Sequence, residues 1–346
     1  MKPEYLNIAI IEITPQCNLR CVHCYNWWKQ EDMTSPDMGS YKKAFRLLNH
    51  LIRKTTVKRI TFTGGEPCIS ERFVELVLHA KLKGKRVTII TNGNGSSAVY
   101  HQLAKMKVDM MEFSIHSSEP EIHDRITGVP GSWEKAIGNM KQMMKSGIYV
   151  TPVIVITSLN YQTAEDTVHF FRQMGINSIM INRYNIGGEG LNHPNLPANA
   201  EQLRDAFGRL NKYVEKHAMN LFSGVCTPFC LLNPKDYPHI RFGACSPDVY
   251  RRPLTLDLDG NLRLCNHSPV KIGNIYKQSL REIFANPYIS AWEDLDIAFC
   301  KKCVHLHTCK GGCRAASEQT GLTLKNEDPI INTLRLAPFS TISSSI

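Results

Sequence analysis

Hydrophobic positions follow two alternating patterns through the first two-thirds of the chain. Short runs rich in Ile, Val, Thr and Phe predict β-strands, and the longer stretches between them carry apolar residues at helical spacing. Strands that alternate with helices form right-handed βαβ units and a parallel sheet. The six predicted strands span residues 7–14, 59–64, 86–93, 110–117, 149–157 and 178–185.

Capping residues mark the helix boundaries. Ser35-Pro36-Asp37 and Ser132 are typical of helix starts, and Gly84, Gly147 and Gly175 are typical of helix ends. Six strand–helix repeats are fewer than the eight of a full barrel, so the pattern predicts an α/β fold with a partial (βα)6 TIM-like barrel. Functional residues are then expected at the carboxyl ends of the strands. The predicted helices span residues 36–53, 71–83, 96–106, 132–146, 162–174 and 200–218.

The pattern changes after about residue 222. Loops dominate from there, and eight of the twelve cysteines lie in this part of the chain. Loops that cannot build a large apolar core can be stabilised by bound metal instead. We therefore predict a barrel unit over residues 1–220 and a loop-rich metal-binding unit over residues 221–346. No low-complexity linker separates them, so a packed interface is expected.

Composition is ordinary for a globular protein, with 42% hydrophobic and 21% charged residues. The apolar run from Leu6 to Ile13 is too short for a signal peptide or a membrane span. The sequence thus predicts a cytoplasmic protein without a membrane partner. Cysteines in that compartment stay reduced, so twelve of them favour metal binding over disulfides.

The formal net charge is +10 with every cysteine counted as neutral. Thiolates bound to metal would lower it by several units, and the remainder would suit an anionic partner such as an acidic peptide or a nucleic acid. We favour a simpler interpretation, in which the lysines belong to solvated helix faces and ends, and a nucleic-acid partner is not expected. These lysines are Lys42, Lys43, Lys81, Lys83 and Lys85.

Three cysteines follow the first predicted strand, in "QCNLRCVHC" (16–24). Cys17, Cys21 and Cys24 suit a [4Fe–4S] cluster that is held by three thiolates and keeps its fourth iron open for a small ligand. A zinc site with a remote fourth ligand is the alternative. Tyr25 follows directly and could shield one face of a cluster.

A glycine pair follows the second strand, in "TFTGGEPCI" (61–69). Gly64 and Gly65 allow backbone groups to approach a ligand closely, and Glu66 and Pro67 fix a turn beside them. Alone, the segment is typical of an ordinary turn between a strand and a helix. Together with the cysteines, it indicates a ligand site.

These two motifs resemble the radical S-adenosylmethionine (SAM) superfamily over roughly residues 7–220, as do "TNG" (91–93) and "FSIHSSEPEIHDRITG" (113–128). The resemblance implies that SAM chelates the open iron through its amino and carboxylate groups. Gly64, Gly65 and Glu66, in the turn made with Pro67, would contact the amino group of SAM. Ser114 would contact the ribose or carboxylate, and Arg125 would contact the carboxylate. Alternatively, Arg125 forms an ion pair with Asp124 or Glu121.

The resemblance also implies the chemistry. Reductive cleavage of SAM yields methionine and a 5′-deoxyadenosyl radical that abstracts hydrogen from the substrate, while the barrel binds, orients and excludes water. Cys17, Cys21 and Cys24 would be the catalytic cysteines, because they hold the cluster that delivers the electron.

The cysteines of the second unit resemble the SPASM extension of radical SAM enzymes, which holds two auxiliary [4Fe–4S] clusters. Together with the first, the resemblance implies three clusters; two zinc sites are the alternative. The motifs are Cys245 with Gly260-x4-Cys265, "KIGNI" (271–275), and Cys300-x2-Cys303-x5-Cys309-x3-Cys313.

By this resemblance the first auxiliary cluster takes Cys245, Cys265, Cys313 and an upstream cysteine, for which we choose Cys230. The second takes Cys300, Cys303 and Cys309, but the family's last cysteine, after Cys313, is missing here. The fourth ligand of this second cluster is open among three options: Cys226, a carboxylate (Glu318, Glu327 or Asp328), or no protein ligand, which leaves one iron open. We favour a carboxylate or an open iron. Cys68 is expected to be a small buried residue.

Enzymes with this architecture mostly modify peptides or proteins, so maturation of a ribosomally made peptide by cross-link, thioether or epimerisation is the leading hypothesis. Sulfatase-type maturation is less favoured, because Asn266 stands where those enzymes have an Asp base. Modification of a haem or another cofactor precursor is a further hypothesis, and an iron–sulfur electron carrier without chemistry of its own is the non-enzymatic one. Expected partners are a peptide or protein substrate, a reductant such as flavodoxin or ferredoxin, and a separate leader-recognition protein, since the chain begins directly at the first strand.

Overall fold

The structure, a computed structural model, describes residues 3–29, 38–246 and 248–335. The described strands form one sheet in the order β11-β10-β9-β1-β2-β3-β4-β5-β6-β7-β8. The strands are β1 Ile8–Glu12, β2 Arg59–Thr63, β3 Arg86–Thr91, β4 Met110–Ser114, β5 Val150–Ile156, β6 Ser178–Arg183, β7 Asn220–Ser223, β8 Ile240–Phe242, β9 Leu254–Leu256, β10 Asn261–Arg263 and β11 Gly273–Asn274.

The six predicted strands are confirmed as β1 to β6. Each pairs in parallel with the next, for example Ile8 with Arg59 and Glu12 with Thr63 between β1 and β2. The sheet is open, with β11 and β8 at its edges, and β1 to β6 form the predicted partial barrel. All six carboxyl ends therefore meet at one rim of the barrel.

Helices connect these strands close to the predicted ranges, with one addition. The structure has a short helix, α4, directly after β4, which the sequence analysis did not predict. The predicted helix start at Ser35-Pro36-Asp37 lies outside the described residues. The helices are α1 Met38–Lys54, α2 Phe73–Leu82, α3 Ser97–Lys105, α4 Pro120–Thr127, α5 Ser132–Lys145, α6 Ala164–Gln173, α7 Ala200–Lys216, α8 Leu280–Phe284, α9 Pro287–Glu293, α10 Leu306–Cys309, α11 Arg314–Gln319 and α12 Asn332–Arg335. Among the described residues, no helix is long and apolar enough to span a membrane.

The C-terminal part of the chain extends the same sheet at both edges. Strand β9 pairs in parallel with β1, and β7 pairs in parallel with β6. The boundary predicted at residue 220 thus falls at the start of β7, and the division into two units stays a prediction. The N-terminal strand lies in the interior of the sheet, between β9 and β2.

Two buried ion pairs join strand ends of the barrel to C-terminal segments. Glu12, the last residue of β1, pairs with Arg263, the last residue of β10. Arg183, the last residue of β6, pairs with Asp328. Both pairs are almost fully shielded from solvent, so each needs its partner to offset the cost of burying a charge.

The core of the barrel depends on large apolar side chains such as Phe62. This residue of β2 is 1% exposed and packs edge-to-face on Phe73 of α2 with ring centroids 5.6 Å apart. We predict that Phe62→Ala lowers the free energy of unfolding by about 3–5 kcal/mol, because it leaves a cavity. Leu82→Ala, at an exposed position, should change it by less than about 0.5 kcal/mol. Anaerobic urea unfolding measures both, and equal effects would contradict the assigned core.

Candidate metal and cofactor centre

Cys17, Cys21 and Cys24 lie on the loop that follows β1, and this loop is tied to the glycine segment after β2. Ile13 N donates to Thr63 O at 2.9 Å, Gly65 N to Thr14 O at 2.8 Å, and Glu66 N to Gln16 O at 2.8 Å. The two predicted motifs therefore form one backbone unit at the rim of the barrel.

The same loop is held by two further elements. Arg20 N donates to Thr127 O at 2.9 Å, and Val22 N donates to Ile126 O at 3.0 Å, both at the end of α4. The amide of Asn92, just after β3, donates to Asn18 Oδ1 at 3.0 Å. Helix α4, which the sequence analysis missed, thus helps to position the cysteines.

The three thiols are partly shielded from solvent and close to one another. Burial raises the pKa of Cys17 to about 11, and burial also raises the pKa of Cys21 and Cys24. The ammonium group of Lys29 opposes this effect at all three, and it is itself fixed by donating to Leu19 O at 2.8 Å. A bound metal stabilises the thiolate form, which burial disfavours in the free thiols.

The glycines allow the glycine segment and the cysteine loop to pack closely backbone to backbone. A Cβ on Gly65 would lie 2.0 Å from Gln16 O, and a Cβ on Gly64, whose φ is +150°, would lie 2.6 Å from Thr14 O. The expected open space at Gly65 is therefore filled by the cysteine loop. The Gly64 carbonyl accepts a hydrogen bond from the Asn26 amide at 3.0 Å.

Glu66 is buried, and its carboxylate is used inside the protein. It accepts hydrogen bonds from Cys68 N at 2.9 Å, Thr91 Oγ1 at 2.7 Å and Asn92 N at 2.6 Å. Burial raises its pKa, and these donors oppose the shift. The carboxylate thus clamps the ends of β2 and β3 together.

The residues after Glu66 are buried as well. Pro67 begins a short 3₁₀ turn, Pro67–Ile69, that leads toward α2. Cys68 is 2% exposed, and its thiol contacts Thr91 and Tyr100. It is the small buried residue that the sequence analysis favoured, away from the other eleven cysteines.

Ser114 and Arg125 are placed differently from each other. Ser114 is the half-buried last residue of β4. Arg125 is exposed in the last turn of α4 and makes neither of the alternative ion pairs, since Asp124 instead accepts from Gly131 N, Ser132 Oγ and Trp133 N. The structure therefore supports no ion pair of Arg125 with Asp124.

Two cavities border the cysteine loop. The first has a volume of about 410 Å³, and the second, which includes Arg125, about 420 Å³. Gly64, Gly65, Glu66 and Ser114 are not among the described residues that line either one. The first is lined by Cys24, Asn26, Trp27, Lys29, Gly188, Glu189, Leu191, Pro269, Glu318 and Gln319; the second by Val22, Arg125, Ser158, Leu159, Asn192, His193, Pro194, Asn195 and Leu196.

One set of four cysteines in the C-terminal part consists of Cys226, Cys245, Cys265 and Cys313. The thiol of Cys226 donates to Cys245, and this bond lowers the pKa of Cys245 to about 5, helped by Arg252 and by Trp292 Nε1, which donates to the sulfur at 3.4 Å. Cys313 lies close enough to Cys226 and Cys265 for their charges to interact.

The other set consists of Cys230, Cys300, Cys303 and Cys309. Burial, together with the charges of Cys309, Cys300 and Cys303, raises the pKa of Cys230 to about 11. The expected grouping put Cys230 with Cys245, whereas in the structure Cys226 lies beside Cys245 and Cys230 lies near Cys300, Cys303 and Cys309. Each set then has four thiols, and neither needs a carboxylate.

Two of the three carboxylates that were considered as ligands bond to other protein groups. Asp328 pairs with Arg183, and both oxygens of Glu318 accept from the Tyr288 hydroxyl at 2.6 Å. Glu327 lies close enough to Cys300 to raise the pKa of that thiol. The carboxylates of Asp328 and Glu318 are thus already bonded to other protein side chains.

The donor sets suit iron–sulfur clusters. All twelve cysteines are free, and eleven of them fall into sets of three, four and four. Within residues 3–29, 38–246 and 248–335, no group of three or more Cys, His, Asp or Glu side chains converges tightly enough for one metal ion. Thiolates of a [4Fe–4S] cluster bind separate irons and need not converge on one point.

Sequence reasoning missed several residues of this centre. Asn26 and Trp27 of the first cavity follow the cysteine motif directly, and Arg183 and Asn185 lie at the end of β6 and just after it. Charged and amide side chains at the carboxyl end of a barrel strand are a signal that could have found the last two. Cys226 was considered, but for the set of Cys300, Cys303 and Cys309, whereas its thiol lies beside Cys245 in the structure.

Known protein families match two regions of the chain, one in the barrel and one in the C-terminal part. A sequence profile of the Radical SAM superfamily matches residues 11–174, and a profile of the SPASM iron–sulfur cluster-binding domain matches residues 245–304. The chain is 24% identical to the antilisterial bacteriocin subtilosin biosynthesis protein AlbA of Bacillus subtilis over 86% of its own length but only 63% of AlbA. It is 25% identical to the mycofactocin maturase MftC of Mycolicibacterium smegmatis, over 92% of this chain and 80% of MftC.

The fold is also that of a solved enzyme structure. Streptococcus suis SuiB bound to S-adenosylmethionine has a TM-score of 0.70 at 18% identity, over 94% of this chain and 77% of SuiB. SuiB bound to the precursor peptide SuiA has the same TM-score at 17% identity, over 94% of this chain and 76% of SuiB. With the two profiles found where the two groups of cysteine motifs lie, the chain belongs to the radical SAM superfamily and carries a SPASM iron–sulfur cluster-binding domain.

Proposed function

We propose that the chain is a radical SAM enzyme that matures a ribosomally made peptide by forming a cross-link or thioether, or by epimerising a residue. The observation that carries the proposal is the joined pair of motifs, in which the loop of Cys17, Cys21 and Cys24 is hydrogen-bonded to the segment Gly64–Glu66. An electron carrier needs neither an open iron nor a glycine segment beside it.

In this proposal Cys17, Cys21 and Cys24 hold the SAM-binding [4Fe–4S] cluster. The backbone of residues 64–66 contacts the amino group of SAM, with Pro67 fixing the turn, while Ser114 contacts the ribose or carboxylate and Arg125 the carboxylate. The bound group supplies a 5′-deoxyadenosyl radical. The clamp made by Glu66 holds the rim rigid, and the partly buried loop limits water around the reacting atoms.

Two auxiliary [4Fe–4S] clusters complete the proposal, each with four thiolates. Cys226, Cys245, Cys265 and Cys313 hold one cluster. Cys230, Cys300, Cys303 and Cys309 hold the other. Support comes from the mutual contacts within each set and from the match of the SPASM profile to residues 245–304.

A peptide substrate is supported by the relatives and by the first cavity. AlbA takes part in bacteriocin biosynthesis, MftC is a maturase, and SuiB binds a precursor peptide. The first cavity lies between Cys24, the segment after β6, and the C-terminal residues Pro269 and Glu318. A side chain entering there would reach the cysteine loop and the second unit together.

Sulfatase-type maturation is not favoured by the residue after Cys265. Asn266 occupies the position of the expected Asp base, and its amide donates to the hydroxyl of Tyr25. The Tyr25 ring also packs on His267, with ring centroids 4.9 Å apart. Residue 266 therefore joins the cysteine loop to the C-terminal part and offers no carboxylate for proton transfer.

The proposal includes partners and a compartment. Electrons come from a small reductant such as flavodoxin or ferredoxin. A separate protein presents the leader part of the peptide. Twelve free cysteines suit the reducing cytoplasm.

The first prediction from this function concerns SAM cleavage. The anaerobically reconstituted chain should hold about 12 irons and release 5′-deoxyadenosine from SAM after reduction. Changing Cys17, Cys21 and Cys24 together to Ala should remove about four irons and all 5′-deoxyadenosine. Co-expression with short peptides encoded beside the gene, followed by mass spectrometry, then separates loss of two hydrogens (cross-link or thioether) from deuterium uptake at an epimerised residue. A carrier would hold the irons but release no 5′-deoxyadenosine.

A second prediction concerns Gly65. Because its Cβ would lie 2.0 Å from Gln16 O, Gly65→Ala must displace the cysteine loop. We expect loss of about four irons together with 5′-deoxyadenosine formation. Gly138→Ala, on α5 where no heavy atom lies within 4 Å of the added Cβ, should leave both unchanged. Full iron content in Gly65→Ala would contradict the close pairing of the two segments.

A third prediction tests the two sets of four. Cys226→Ala and Cys230→Ala should each cost about four irons, but from different clusters. Combining Cys226→Ala with Cys245→Ala should therefore cost no more than either change alone, whereas combining it with Cys230→Ala should cost about eight. Cys68→Ala is the control and should lose none. The reverse pattern of pair losses would restore the grouping of Cys230 with Cys245.

A further inference from the structure

Arg183 and Asp328 form the most deeply buried ion pair among the described salt bridges. Both side chains are 0% exposed, and they are 145 residues apart in sequence. Arg183 ends β6, and Asp328 lies in the segment that precedes α12. A single unpaired charge at this place would cost several kcal/mol, so the pair has to be kept together.

Asp328 fixes the backbone at one cysteine of the set formed by Cys226, Cys245, Cys265 and Cys313. Its Oδ2 accepts from Cys313 N at 2.7 Å, and its Oδ1 accepts from Ile330 N at 3.1 Å. Gly312 packs on the same carboxylate, because a Cβ there would lie 2.7 Å from Oδ2.

Arg183 reaches a second cysteine of the set and a neighbouring amide. One nitrogen donates to Cys226 O at 2.7 Å, and the other donates to Asn185 Oδ1 at 3.3 Å. This contact orients the Asn185 amide so that its Nδ2 donates to the sulfur of Cys313 at 3.2 Å. The sulfur of Cys313 thus faces a donor that Arg183 holds in place.

The charges of the pair act on these thiols in opposite directions. Asp328 raises the pKa of Cys313, whereas Arg183 lowers the pKa of both Cys313 and Cys226. At Cys313 the two charges oppose each other, and the Asn185 amide adds a hydrogen bond to the sulfur.

We propose that Arg183, Asp328 and Asn185 set the reduction potential of the cluster held by Cys226, Cys245, Cys265 and Cys313. Net charge and hydrogen bonds to sulfur are two of the properties by which a protein tunes such a cluster. The three act through the cysteines as positioning residues. The inference rests on the proposed assignment of these four cysteines to one cluster.

The proposal predicts shifts of opposite sign. Asp328→Asn keeps the shape but leaves the charge of Arg183 uncompensated, which favours the reduced, more negative cluster and raises its potential. Asn185→Leu removes the donor to Cys313 and should lower the potential. A residue that only supports the fold would give no such pair of opposite shifts.

The potentials are measured in full-length protein in which Cys17, Cys21 and Cys24 are Ala, so that only the two auxiliary clusters remain. Redox titration followed by electron paramagnetic resonance gives two reduction steps, and iron analysis accompanies each variant. Asp259→Asn is the matched control, since Asp259 forms an exposed pair with Lys43.

A rise in one step for Asp328→Asn and a fall in the same step for Asn185→Leu, with Asp259→Asn unchanged, would support the proposal. Unshifted steps with about eight irons retained would overturn it and leave the cluster assignment standing. If Asp328→Asn loses its cluster, the test rests on Asn185→Leu, at a half-buried position. A lowered reduction potential in Asn185→Leu supports the proposal, and an unchanged potential overturns it. A parent protein that holds no auxiliary iron overturns both the tuning and the assignment.

Discussion

The backbone pairing between residues 13–16 and 63–66 is the constraint on which the rest of the centre depends. Three hydrogen bonds continue the β1–β2 ladder beyond the strands and join the cysteine loop to the glycine segment. Side chains are excluded at Gly64 and Gly65 because the two backbones approach too closely. The cysteine loop and the glycine turn therefore cannot move independently.

The C-terminal part of the chain joins this rim through the shared sheet, one continuous apolar core and two buried ion pairs. The pairs Glu12–Arg263 and Arg183–Asp328 both include the last residue of a barrel strand. Arg263 lies two residues before Cys265, and Asp328 accepts a hydrogen bond from Cys313 N. Burial raises the pKa of Glu12 to about 7, although Arg263 opposes the shift. Burying such pairs adds little net stability, but breaking one would leave a buried charge without its counter-charge, so each pair fixes relative position.

The parts that sequence could predict are those encoded by local pattern. Six strands and the loop of Cys17, Cys21 and Cys24 follow from periodicity and spacing within short windows. The choice between Cys226 and Cys230 could not be made in this way, because both lie on one loop and the chain path across the fold decides which thiol meets Cys245. Helix α4 was missed because eight mostly polar residues give a weak helical pattern. The close packing at Gly65 also depends on a neighbour that is distant in sequence.

The position of β1 inside the sheet has a consequence for biogenesis. This strand leaves the ribosome before the other strands of the sheet, yet one of its two neighbours is β9, about 245 residues later in the chain. One edge of β1, next to the cysteine loop, therefore stays unpaired until most of the protein has been synthesised. Contacts this distant in sequence form slowly. The nascent chain thus exposes an unpaired strand edge, a template for wrong strand pairing, beside three cysteines until β9 has been synthesised.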